Sequence, residues 1–110
     1  MEKFVNLTPH DITIVGEKAT VVIPASGKLC RVACTVQDTG MSILGIPVTR
    51  NTYGEVEGLP DEEPGVFYIV SSIVRSALIE EGIQRGDVLI PNESVRDENG
   101  RIIGCRSLAI

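Results

Sequence analysis

The chain of 110 residues contains no tryptophan, two phenylalanines, two tyrosines and a single histidine. With so few aromatic rings, the core must be aliphatic, and a hydrophobic content of 43% is typical of a folded protein. Basic residues are also scarce, with 10 against 15 acidic ones and a net charge of -5. Because binding along a nucleic-acid backbone needs a basic face, we expect no long nucleic acid as a partner. A few well-placed arginines could still hold a small phosphorylated ligand.

Long apolar runs are missing as well. No segment approaches the roughly 18 apolar residues that span a membrane, and MEKFVNLTPHD lacks the apolar segment of a secretory signal. Three cysteines, Cys30, Cys34 and Cys105, show no framework spacing and predict free thiols in a reducing cytoplasm. A zinc site needs a fourth ligand and His10 is the only candidate, so we predict no metal site and no cofactor.

Strand signals dominate the chain. KFVNL, DITIV, TVVIP, LCRVAC, VFYIV and GDVLIP are short β-prone runs separated by turn residues. The segment MSILGIPVTRNTYGEVEGLP predicts one or two bulged strands, and VFYIV predicts a central strand buried on both faces. We therefore expect one compact β-rich domain over residues 1–110, a small barrel or sandwich of about seven or eight short strands with one short helix. If the helix packs on an open sheet, the class becomes α+β.

Local signals place the helix and the last hairpin. SSIVRSALIEEG predicts the helix, capped by Ser71 or Ser72 and ended by Gly82. In SVRDENGRIIGCRSLAI, Asn99 and Gly100 predict a type I′ turn between two alternating arms. Alternation in LCRVAC predicts that Cys30 and Cys34 are small core residues.

Three arginines share strand faces with apolar residues. Arg106 alternates with Ile102 and Leu108, and Arg50 and Arg31 have similar neighbours. A charge on an apolar face is costly unless it is paired or meets a ligand. A structural ion pair and an anion cradle both explain the pattern.

The start of the predicted helix offers a second anion site. Free backbone N–H groups and the positive end of the dipole lie beside the hydroxyls of Ser71 and Ser72, with Arg75 one turn later. Plain N-capping explains the same serines. Tyr53 or Tyr68 could stack a base beside such a site.

The stretch NLTPHD contains the only histidine. Pro9 restricts the backbone of Thr8, and the side chains of Asn6, Thr8 and Asp11 can each bond local backbone. A rigid turn between two strands therefore explains every residue except His10, which is either a turn residue or part of a ligand site.

NLTPHDITI, IPASGKLCRV, GEVEGLP, VFYIVSSIV, GDVLIP and VRDENGRIIGCRSL occur in this order. In these motifs the chain resembles, over nearly its whole length, a family of small, mostly uncharacterised proteins of phages, prophages and actinomycetes. The resemblance implies a compact β-rich fold and brings no catalytic residues. It marks as signature positions Asn6, Pro9, His10, Gly58, Ser71, Arg96, Gly104 and Arg106.

A phage setting implies an accessory or anti-defence protein in the cytoplasm of a bacterial host. We expect a non-enzymatic homo-oligomer that sequesters a small anionic ligand, such as a nucleotide second messenger. The predicted ligand-binding residues are His10, Arg31, Arg50, Tyr53, Tyr68, Ser71, Ser72 and Arg106. Two alternatives stay open: a hydrolase or lyase of a phosphorylated small molecule that uses His10, and a protein-interaction module.

Overall fold

The computed structural model describes residues 2–110 and shows eight strands and one helix. In chain order they are β1 (Lys3–Asn6), β2 (Ile12–Val15), β3 (Thr20–Ile23), β4 (Arg31–Ile43), β5 (Ile46–Glu57), β6 (Val66–Ile69), α1 (Ser72–Glu80), β7 (Val88–Arg96) and β8 (Ile102–Ala109). The predicted mainly β class is confirmed.

Six of the strands form one sheet in the order β1-β6-β7-β8-β2-β3. β1, β6 and β7 run parallel, and the β7–β8 and β2–β3 pairs are antiparallel. The sheet has two ends and, within residues 2–110, does not close into a barrel by regular pairing. It curls so far that Ala25, just after β3, bridges Asn6 at the end of β1.

The core lies on both faces of this sheet. Tyr68 and Val70 contribute to the side under α1, where Val74 and Leu78 of the helix are also buried. The neighbouring Ile69 points into a second cluster with Ile12, Ile23 and Cys105. β6 is therefore buried on both faces, as VFYIV predicted, although it is second in the sheet order rather than central. The packing of α1 on the open sheet fits the α+β description.

Helix α1 begins and ends where the sequence predicts. The Oγ of Ser71 accepts a hydrogen bond from the Val74 N–H at 3.3 Å, and Gly82 follows the helix with a φ of +77°. This position favours glycine because a left-handed φ clashes with a Cβ. The connection β6–α1–β7 joins two parallel strands by a helix.

The last hairpin has a different turn from the predicted type I′. Gly100 has a φ of +79°, but Asn99 does not have the positive φ that a type I′ turn requires. The carboxylate of Asp97 instead accepts the N–H groups of Asn99 and Arg101 at 2.8 and 3.0 Å. These bonds favour a type I turn followed by a left-handed glycine.

Strands β4 and β5 form a separate two-stranded sheet, a long hairpin that we call the arm. At its base, Val32 and Val56 pack on the main core, whereas every residue from Ala33 to Ile43 is exposed. The prediction that Cys30 and Cys34 are both core residues is therefore wrong for Cys34, which is exposed, and right for Cys30. Bulges occur where the register shifts, between Val32 and Cys34 and between Asp38 and Met41.

Candidate functional site

The NLTPHD stretch is a rigid turn organised by Asn6, whose side chain is 1% exposed. Its Nδ2 donates to the carbonyls of His10 at 2.7 Å and Ile23 at 3.1 Å. Its Oδ1 accepts from the backbone N–H and the hydroxyl of Thr8 at 2.9 and 2.6 Å. The carboxylate of Asp11 accepts from the Ala25 N–H at 2.9 Å. The polar side chains of the turn thus hold the backbone, as predicted.

The imidazole of His10 is the exception. The ring is exposed, and within residues 2–110 it takes part in no side-chain hydrogen bond or ion pair. A fixed backbone therefore presents a ring that remains free to meet another molecule.

The sheet topology brings this turn next to the helix start. β1 and β6 are adjacent and parallel, so their carboxyl ends lie side by side. β1 continues into residues 8–10, and β6 continues into residues 71 and 72. The N–H of Leu7 donates to the Ile69 carbonyl at 2.9 Å and extends the pairing to this edge. Ligands commonly bind outside the carboxyl ends of parallel strands, where helix N-termini also point.

A groove follows this edge. Its central cavity of about 480 Å³ is open and lies between His10 and Pro9 on one side and Ser71 and Ser72 on the other, with Pro91 of β7 as a wall. A second cavity of about 350 Å³ shares the His10 side and continues along β8. A third of about 240 Å³ shares Pro9 and Ser71 and reaches Arg31 at the base of the arm. We call the three adjoining cavities the groove.

The donors in the central cavity are suited to an anion. The N–H groups of Ser72 and Ile73 lie in the first turn of α1, where a helix offers no acceptor. The hydroxyl of Ser71 accepts from Val74 and can still donate its own proton. The first turn of α1 contains no acidic side chain that would offset the positive end of the helix dipole.

The eight predicted ligand residues do not all meet. His10, Ser71 and Ser72 line the central cavity, and Arg31 reaches the cavity next to it. Arg50 and Tyr53 lie on the arm, opposite Gln37 and Cys34 respectively. Arg75, one turn after the helix start, lines a separate cavity of about 200 Å³ near Ile110.

The predicted stacking role is wrong for Tyr68. Its side chain is 4% exposed and belongs to the core cluster under α1. The hydroxyl donates to the carbonyl of Asp61 at 3.4 Å. Burial, together with the nearby carboxylates of Glu63 and Asp87, raises the pKa of this phenol.

The premise of arginines on buried apolar faces is also wrong. Arg31, Arg50 and Arg106 are all exposed. Arg85, which was not among the predicted site residues, has a mostly buried side chain, of which 15% is exposed. Its guanidinium meets the carboxylate of Asp87 through two bonds of 2.8 Å and donates to the Pro60 carbonyl at 2.9 Å. This pairing raises the pKa of Arg85 and lowers the pKa of Asp87.

The β7 wall of the groove was missed too. The strand–helix–strand order of VFYIV, SSIVRSALIEEG and GDVLIP was the available signal, because it predicts parallel neighbours with a shared carboxyl edge. Within residues 2–110 no group of three His, Cys, Asp or Glu side chains is placed to hold a metal ion. The same part of the chain contains no helix of the length and apolar content that crossing a membrane requires.

No protein-family model, curated protein or solved structure matches the chain. The resemblance to phage proteins therefore stays a prediction.

Proposed function

We propose that the chain is a non-enzymatic binding protein that holds a small anionic, nucleotide-like ligand in the groove. The observation that carries the proposal is the convergence of His10, Ser71, Ser72 and the N-terminus of α1 on one open cavity of about 480 Å³. This volume lies within the range of about 300–1,000 Å³ that is usual for small-molecule sites.

The groove suggests a division of roles within such a ligand. The phosphate would accept from the free N–H groups and hydroxyls at the helix start, with His10 opposite them. Arg31 would add positive charge from the neighbouring cavity. Because Tyr68 is buried, the base would lie against the apolar surfaces of Pro9 and Pro91.

The biological setting of the proposal comes from the resemblance. In a phage, a protein that holds a host nucleotide signal without cutting it would act as an anti-defence sponge in the bacterial cytoplasm. Binding without turnover is supported by the position of His10, since general acid–base catalysis normally uses a second group that orients or partners the imidazole.

Calorimetric titration of the full chain with a panel of cyclic and linear nucleotides, and with inorganic phosphate, tests the proposal. At least one nucleotide should release heat. Replacing Ser72 with aspartate should weaken its binding at least about 10-fold, because a carboxylate at the helix start occupies the anion position. The same substitution favours the helix itself, so folding should be retained. The control Asn99→Asp adds the same charge in an exposed turn and should bind normally.

The absence of heat with every nucleotide, for a protein shown to be folded, would contradict the proposal. Normal affinity of Ser72→Asp would contradict the placement of the site. The ligand recovered from the complex should be chemically unchanged. Its conversion to a product, lost in His10→Ala, would replace the binding role with the enzymatic alternative.

A further inference from the structure

The arm gives the chain an unusually large surface. The solvent-accessible surface is 7969 Å², whereas a monomeric protein of this mass exposes about 5,900 Å². The radius of gyration is 16.7 Å, against about 13 Å for a compact domain of this length. The chain therefore exposes on the order of 2,000 Å² more than a self-sufficient monomer.

The distal arm, which we define as residues 34–53, is exposed along most of its length. It is a two-stranded sheet whose outer edges are both unpaired within residues 2–110. A hairpin of two strands is marginally stable in water without further packing. Because only the base of the arm packs on the core, the distal arm lacks a packing partner within its own chain.

One face of the distal arm is apolar at its tip. Met41 pairs with Val48 and Ile43 with Ile46, and residues opposite one another in an antiparallel pair share a face. Met41, Ile43 and Ile46 are 57%, 59% and 66% exposed. Contiguous exposed apolar side chains of this kind mark interaction surfaces.

The turn at the tip adds an unusual leucine. Leu44 and Gly45 form a two-residue turn with φ values of +52° and +79°. Asparagine or glycine normally occupies the first position because a positive φ crowds the Cβ of other residues. Leu44 is also 96% exposed, so its side chain gains no burial within the chain that would offset this conformation.

The distal arm is nearly free of charge. Asp38 and Arg50 are its two charged residues, in a chain that has 25 charged residues and a net charge of -5. Two copies that each carry a net charge of -5 repel one another least when they meet through a neutral surface, and interface cores are depleted in charge. The two charges of the arm are opposite, so a two-fold contact between identical arms adds no net like charge.

From these observations we propose that the distal arm is the surface through which two copies of this chain associate. In a two-fold contact, each copy contributes the same patch. The excess surface of about 2,000 Å² is larger than the roughly 800 Å² per partner of a standard interface and matches what an obligate homodimer hides. The proposal concerns residues outside the groove and does not depend on the ligand.

Sedimentation velocity of the full chain tests the proposal over about 1–200 µM, a range that covers ordinary micromolar affinities. The native protein should sediment as a dimer or a multiple of it. Leu44→Asn should weaken association at least 10-fold, and it creates the Asn-Gly pair that this turn type prefers, so the arm should keep its shape. The control Ile79→Gln removes an apolar side chain of α1 that is 63% exposed and should associate like the native protein.

A monomer at every concentration would overturn the proposal and leave the distal arm to a different macromolecule. Association of Leu44→Asn as tight as that of the native protein would overturn it as well. Hydrogen exchange of the native protein gives an independent measurement: amides of residues 35–50 should gain protection as the concentration rises. Association of the native protein without that protection would place the interface elsewhere. This result does not depend on the folding of any variant.

Discussion

Replacing Asn6 with alanine should destabilise the fold strongly, although Asn6 contributes no apolar side chain to the core. The side chain is 1% exposed and forms four hydrogen bonds to groups of the turn and of β3. Alanine removes both donors and the acceptor at once. No buried side-chain polar atom in residues 2–110 lacks a partner in the native chain, and the substitution would remove hydrogen bonds from the backbone groups that Asn6 pairs.

The magnitude follows from which groups lose their partner. The hydroxyl of Thr8 lies 3.0 Å from the His10 carbonyl and can take over that acceptor. The Thr8 N–H has no such substitute, and the Ile23 carbonyl, whose residue pairs with Ile12 between β2 and β3, loses the donor that Asn6 supplies. Since a buried unpaired polar group costs about 1–3 kcal/mol, the expected loss is about 3–4 kcal/mol. This is a large share of the roughly 5–15 kcal/mol that stabilises a domain.

Urea unfolding measures this loss. With a slope of about 1.5 kcal/mol per molar urea, the midpoint of Asn6→Ala should fall by about 2 M. The control Asn92→Ala removes an asparagine that is exposed on β7 and should change the unfolding free energy by less than about 0.5 kcal/mol. A similar small change for Asn6→Ala would refute the view that Asn6 holds the turn.

Two further substitutions probe the scaffold. The pKa of Asp87 is lowered by Arg85, so its stabilisation is complete at neutral pH and is lost as the pH falls below the ordinary value of 3.8. Asp87→Asn should therefore cost about 1–3 kcal/mol at pH 7 and flatten the acid side of the stability profile measured by urea unfolding. Gly58 has a φ of +88°, and an added Cβ would overlap the Leu29 carbonyl oxygen. Gly58→Ala should lower the unfolding free energy by more than about 2 kcal/mol, whereas Gly27→Ala, with a similar φ and open space around it, should cost about 1 kcal/mol.

The elements that the sequence predicts well are those determined by local chemistry. Ser71 caps α1 and Gly82 follows its end because both positions depend on the backbone of a few neighbouring residues. The last hairpin was located correctly for the same reason. Its turn type was predicted wrongly because the side chain of Asp97 competes for the turn N–H groups, and the Asn-Gly signal does not take account of that carboxylate.

The positions of the arginines were predicted wrongly for a different reason. Alternation along a strand shows which residues share a face, but it does not show which face is buried. On the distal arm neither face packs on the core, so Arg50 is exposed although it shares a strand face with Val48 and Thr52. The buried pair of Arg85 and Asp87 lies between α1 and β7, outside any alternating pattern. It depends on the tertiary approach of the loop that contains Pro60 and Glu62.

The groove and the distal arm belong to different parts of the molecule, and this separates the two proposals. The groove is complete within one chain, since its walls come from the Thr8–His10 turn, the start of α1 and strands β7 and β8. The arm touches it only at its base, through Arg31 and Val32. Loss of association in Leu44→Asn therefore leaves the anion donors in place, and loss of binding in Ser72→Asp leaves the apolar tip in place. Each variant thus tests one surface without altering the other, so failure of one proposal does not weaken the other.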